Sequence, residues 1–124
     1  MIRKFTIPLT TNSSGAATAY SPYLSGFIDS IQYVKTDFAD GVDFTITADT
    51  TGEVILSLTD QNAATKLRPR AGTHTTAGVA SLYASGGTAV NDRIALARDR
   101  VKVVVAQGGN VKTGTIIVYV DDGK

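Results

Sequence analysis

Apolar residues recur at every second position in several short blocks of the chain, the pattern of strands whose successive side chains point to opposite faces. Ile2 to Leu9 sets Phe5, Ile7 and Leu9 on one face, and Pro8, which has no amide donor, suits an edge strand or a bulge. In Gly26 to Lys35, GFIDSIQYVK, Ile31 and Tyr33 share a face while Gln32 lies opposite. Phe44, Ile46 and Ala48 alternate with threonines, and Val54, Leu56 and Leu58 mark a further strand. Between these two, DTTG has the length and composition of a β-hairpin turn. Val101, Val103 and Val105 form one later stripe, and Ile116, Val118 and Val120 another. The glycine-rich stretch AQGGNVKTGT between the stripes predicts a hairpin with a long tip. Arg93 to Ala97, RIALA, reads as a strand or an extended lead-in.

Helical periodicity is poor throughout. Seven or eight short strands at this spacing predict an all-β fold, an antiparallel β-sandwich of the jelly-roll or Ig-like kind. The single domain is expected to span residues 1–124, a length that can bury an adequate core without staples. Residues 70–91, RAGTHTTAGVASLYASGGTAVN, break the pattern. Small side chains bury little surface to offset ordering entropy, so this stretch predicts a long contact loop with one helical turn around GVASLYA.

Composition narrows the chemistry. There is no cysteine, which removes disulfides, thiolate metal sites and thiol nucleophiles. Twelve basic and eleven acidic side chains leave a net charge of +1, without the basic excess of a dedicated polyanion binder. The first residues lack the apolar run of a secretory signal, and no apolar segment has the length of a membrane helix, so the chain is expected to be soluble and to stay in the compartment where it is made.

One stretch resembles a cation loop. In TDFADGVDFTIT, Asp37, Asp40 and Asp43 surround Gly41, but they fall at relative positions 1, 4 and 7, and an EF-hand needs ligands at 1, 3, 5, 7, 9 and 12 with glycine at 6. Position 12 is Ala48. An Asp-Gly hairpin turn that launches the Phe44/Ile46 strand fits better. His74 is the lone histidine and lies in the small-residue stretch, where a catalytic imidazole would lack rigid orientation; a surface or interface role is expected. Ten aspartates and the single Glu53 fall mostly in turns, so paired-carboxylate hydrolysis is not expected. ASGGTAVND lacks the Gly-Lys-Ser/Thr ending of a phosphate loop.

Two basic groups remain, KLRPR (Lys66, Arg68, Arg70) and RIALARDRVK (Arg93, Arg98, Arg100, Lys102). Interleaved Asp92 and Asp99 favour ion pairing over nucleic-acid contact, and the aromatic residues form no spaced stacking platform.

The runs VKTDFADGVDFTIT, HTTAGVASLYASGGTAVNDRIALARDRVKVVVAQGGN and GTIIVYVDDG together resemble small proteins encoded among the head genes of tailed bacteriophages. That resemblance implies a non-enzymatic structural virion protein, a capsid decoration or cement protein that stabilises neighbouring subunits, or else a neck component. It implies the major capsid protein or other virion subunits as partners, and a homo-oligomer, such as a trimer. The place would be the virion, assembled in the host cytoplasm. No catalytic, cofactor-binding or metal residue is assigned, and neither cofactor, membrane nor nucleic acid is expected as a partner. The expected subunit-contact residues are Arg68, Arg70, His74, Tyr83, Arg98 and Arg100. The competing class is a ligand- or glycan-binding module, whose exposed aromatic cluster would begin from Tyr20, Tyr23 and Tyr83.

Overall fold

The computed structural model describes residues 1–124 and is all-β, with antiparallel curled sheets and no helix. Its strands are β1 (Ile2–Thr10), β2 (Ala17–Tyr20), β3 (Leu24–Lys35), β4 (Asp43–Ala48), β5 (Val54–Leu58), β6 (Thr65–Leu67), β7 (Ala71–Gly72), β8 (Asn91–Asp92), β9 (Ile94–Asp99), β10 (Val101–Ala106) and β11 (Thr113–Asp121). Eleven strands exceed the expected seven or eight. The surplus lies in β2, β6, β7 and β8, which are two to four residues long and too short to show a period.

The first sheet runs β1-β11-β3-β6 with β9 also on β3, the second runs β2-β10-β4-β5, and β7 pairs only with β8. Both large sheets feed one apolar cluster of 20 buried residues. Ile7, Leu9, Ile28, Ile31, Tyr33, Ile116, Val118 and Val120 come from the first sheet; Phe44, Ile46, Val101, Val103 and Val105 come from the second. Burial on this scale is the main favourable term in folding, at about 25 cal/mol per Å² of apolar surface.

Most connections switch sheets. The two valine and isoleucine stripes therefore do not form the expected hairpin: β10 pairs with β2 and β4, whereas β11 pairs with β1 and β3. Each stripe is a core face, and a shared period cannot say which strands are partners. The hairpin expected at DTTG is present, with β4 and β5 antiparallel across Asp49–Gly52. A register shift between Ile46 and Thr47 turns Ile55 into the core and leaves Val54 exposed, which corrects the expected Val54/Leu56/Leu58 face.

Pro8 sits on an edge strand, as its missing donor requires. Thr11 donates its amide to Lys112 O and Met1 O accepts from Asp122 N, so odd-numbered residues of this strand turn their backbone groups toward β11. Even-numbered residues, Pro8 included, face away from the sheet. An edge that lacks one donor is a poor template for a further strand.

TDFADGVDFTIT contains the expected turn at Asp40–Gly41, with Gly41 at φ 91°, but the turn does not close a hairpin. It lies in the crossing from β3 to β4, strands of different sheets, and that crossing seats Phe38 and Val42 in the core. The three carboxylates go separate ways. Asp37 accepts from Thr113 N and Oγ1, Asp40 pairs with Lys35 at 3.4 Å, and Asp43 accepts from Asp60 N and Gln107 Nε2.

Candidate functional site: an inserted arm and a tyrosine-arginine cluster

Strands β6 and β9 lie along the same edge of β3. Leu67 faces Ile31, and Ile94 faces Ile28, both antiparallel to β3. A continuous strand would need only the two residues opposite Ser30 and Asp29, yet residues 68–93 intervene. The small-residue stretch is thus an arm inserted into one edge strand, and Arg70 Nη1 donates to Asp29 O at 3.1 Å in the gap it leaves.

The arm is built from backbone hydrogen bonds. At its root, Ala71 pairs with Asp92 and Gly72 with Asn91. Above the root, three amides close a cycle: Thr73 N donates to Val90 O at 2.8 Å, Val90 N to Ser81 O at 2.9 Å, and Ser81 N to Thr73 O at 2.9 Å. Two short branches leave this junction. One turns at Thr75–Val79 around Gly78, at φ 80°, and joins His74 to Ala80; the other turns at Ala84–Thr88 around Gly86, at φ 68°, and joins Leu82 to Ala89. The helical turn expected around GVASLYA is absent, because Gly78 ends one branch and Ser81 passes the chain into the next.

No residue from Gly72 to Asp92 is buried. Val79, Leu82 and Tyr83 are exposed, Tyr83 at 74%. From Ala71 to Asn91 there is no Asp, Glu, Lys or Arg, so the arm is also uncharged apart from whatever His74 carries. A segment without a core gains little from burial to offset the 1–2 kcal/mol or so per residue that ordering its backbone costs.

The six residues expected at subunit contacts separate in space. His74 and Tyr83 lie on the arm, and Arg68 and Arg70 are exposed at its root. Arg98, at the end of β9, has φ 48° and donates its amide to Ser25 Oγ. Arg100 belongs to a different cluster, where its guanidinium carbon lies 3.9 Å from the Tyr20 ring centre and 5.2 Å from that of Tyr23, and its Nε donates to Asp49 Oδ2 at 2.8 Å. Donation to the Asp49 carboxylate raises the Arg100 pKa above its ordinary value.

Beside this cluster the buried Asp99 accepts from Thr50 N and Arg100 N, bonds that hold its carboxyl below the usual carboxylate range. Asp49 is a component that the sequence pattern does not single out. Asp99, expected in an ion pair with the neighbouring arginines, instead accepts backbone amides.

Comparison with family models, with curated proteins and with solved structures finds no match.

Proposed function

We propose that the chain is a non-enzymatic structural virion protein of a tailed phage, a capsid decoration or cement protein that stabilises neighbouring capsid subunits. The observation that carries this reading is the inserted arm, which is uncharged, exposed and without a core, on a β-domain whose edge strand it interrupts. Beyond its root, from Gly72 to Asp92, the arm costs conformational entropy and places no buried residue in the core, so its value lies in contact with another chain. In the same reading the two large sheets are the faces of a jelly-roll-like or Ig-like sandwich, consistent with the repeated alternation between sheets along the chain. The partners are the major capsid protein and further copies of this chain, and the place is the virion, assembled in the host cytoplasm.

Quantitative mass spectrometry of purified particles tests the role. A stoichiometry comparable with the major capsid protein supports the shell position, and a low ring-like copy number supports a neck component. Absence from particles overturns the virion role.

A second reading, a virion-exposed ligand- or glycan-binding module, draws on the meeting of exposed Tyr20 and Tyr23 with Arg100 and Asp49. Aromatic faces beside a carboxylate can stack and hydrogen-bond a sugar ring. Glycan-array binding lost in Tyr20→Ala and Tyr23→Ala would favour it over the cement role.

A further inference from the structure

Three arginines lie over aromatic rings, and one differs from the other two. Arg3 lies over Phe5 and Arg93 over Phe27, and each turns Nη1 toward a carboxylate of its own chain, Asp122 at 3.9 Å and Asp121 at 3.0 Å. Arg100 instead bonds Asp49 through Nε, so the two Nη groups at the tip of its fork have no acceptor in the chain. Its side chain is 31% exposed.

The fork is held from behind by buried polar groups. Ser21 Oγ accepts from Val101 N at 2.9 Å, and Asp99 accepts from Arg100 N at 2.7 Å and from Thr50 N at 3.0 Å. These bonds satisfy side chains whose burial would otherwise be costly, and they fix the backbone from which the guanidinium projects. Tyr20 then supports it, with its ring centre 3.9 Å from the guanidinium carbon. An arginine ordered before a ligand arrives loses less freedom on binding it.

The surroundings fit one kind of anion. Lys102 stands opposite Tyr20, and the row they share with Thr47 and Val54 holds no acidic residue. Tyr20 is occupied with Arg100, whereas Tyr23 is 62% exposed and its ring centre lies 5.2 Å from the same guanidinium carbon. A free guanidinium fork matches the two oxygens of a carboxylate, and an open tyrosine ring beside it matches the apolar face of a sugar.

We infer that this cluster binds a sugar acid, a saccharide ring bearing a carboxylate, with the carboxylate on Arg100 Nη1 and Nη2 and the ring against Tyr23. Lys102 adds charge, and Tyr20 and Asp49 are positioning residues for the guanidinium. The inference rests on the ligand-binding reading and names the chemical class that its site takes.

A glycan array carrying acidic and neutral saccharides, followed by amide chemical-shift titration of the isotope-labelled full-length chain with tri-galacturonate, sialyllactose and lactose, tests it. An acidic probe is expected to shift the amides of Tyr23, Arg100 and Lys102, to bind roughly tenfold more tightly than lactose, and to weaken as salt is raised. Arg100→Lys keeps the charge and removes the fork, and is expected to weaken the acidic probe by about tenfold. Should that variant fail to fold, Lys102→Gln on the outward face takes its place, with a loss of about threefold.

Equal affinity for acidic and neutral saccharides, or acidic binding unchanged in the variant that folds, overturns the inference and leaves the ligand-binding reading standing. A glutamate-rich peptide that produces the same shifts at lower concentration than either acidic sugar also overturns it, and assigns the fork to a protein carboxylate. Binding of no saccharide at all, acidic or neutral, removes the ligand-binding reading together with the inference.

Discussion

Leu67 and Ile94 lie end to end along one edge of β3, facing Ile31 and Ile28, although residues 68–93 separate them in the chain. Ile94 is buried in the core and Leu67 is partly exposed, so the two halves of this edge strand anchor the sheet whether or not the arm is present. Every backbone hydrogen bond from Thr73 to Val90 stays within the arm.

Excision of the arm should therefore leave the domain folded. Replacing Arg68–Arg93 by a two-residue link is expected to keep near-ultraviolet circular dichroism and amide chemical-shift dispersion, with a melting temperature within roughly 5 °C of wild type, the shift that about 1 kcal/mol produces in a domain of this size. Loss of cooperative melting would show that the arm stabilises the sheets.

Tyr33→Phe is expected to stabilise the protein. The Tyr33 hydroxyl is buried without a hydrogen-bond partner, while its ring lies 4.7 Å from that of Phe44 and 6.2 Å from that of Phe38. Removing an unpaired buried hydroxyl returns about 1 kcal/mol and keeps the aromatic contacts. Burial also raises the Tyr33 pKa above 10.0. Its contribution is thus fully present below the unfolded value and is lost as pH rises toward the folded one, because only the unfolded chain ionises freely. Urea titration at neutral pH should give a higher midpoint for Tyr33→Phe, and the decline of stability above about pH 10 should flatten in the variant.

The core was legible and its wiring was not. The stripes at Val101/Val103/Val105 and Ile116/Val118/Val120 marked strands correctly, since a period of two reports which side chains face inward. The same period is silent on whether neighbours in sequence are neighbours in a sheet, so it cannot tell a hairpin from two strands on opposite sheets. Asp40–Gly41 announced a turn for sound steric reasons, yet the burial of Phe38 and Val42, which makes it a crossing, is a long-range effect. Lack of large apolar residues exposed the arm as irregular. Its three-way junction is held mainly by backbone groups, which every sequence possesses, with the Thr73 hydroxyl adding one bond to Val90 O. Arg100 meets Tyr20 through the pairing of β10 with β2, a long-range contact that the period of the strands does not encode.

Acid should destabilise the protein through four aspartates. Asp99 is held below its ordinary value mainly by the Thr50 amide, Asp37 by the Thr113 amide, Asp121 by the Gly123 amide and then Arg93, and Asp122 by the Lys124 amide. Lowered folded-state values mean stability that is present above the unfolded value near pH 4 and is lost as pH falls through the folded ones. The melting temperature is expected to be level above about pH 5 and to fall below about pH 4. Asp99→Asn should lower it at pH 7 and make the acid decline shallower; a variant that parallels wild type throughout would exclude Asp99 as a contributor.

Gly26→Ala should be among the most damaging single substitutions. At φ 137° the residue occupies a conformation that side chains rarely adopt, and an added Cβ would lie 2.3 Å from Asp121 O and 3.0 Å from Asp122 Cα. Both obstacles are backbone of the neighbouring β11 end, which cannot rotate aside as a flexible side chain would. The chain would have to part β3 from β11 where Phe27 faces Asp121 and Arg93 bonds the Asp121 carboxylate. Gly52→Ala is the matched control, with φ 75° and nothing within 4 Å of its added Cβ. Backbone strain alone is expected to cost the control about 1 kcal/mol, and strain with a backbone clash about 3 kcal/mol or more at Gly26. Urea unfolding of the pair measures the difference, and equal midpoints would mean that the close approach of Gly26 to Asp121 is not maintained in solution.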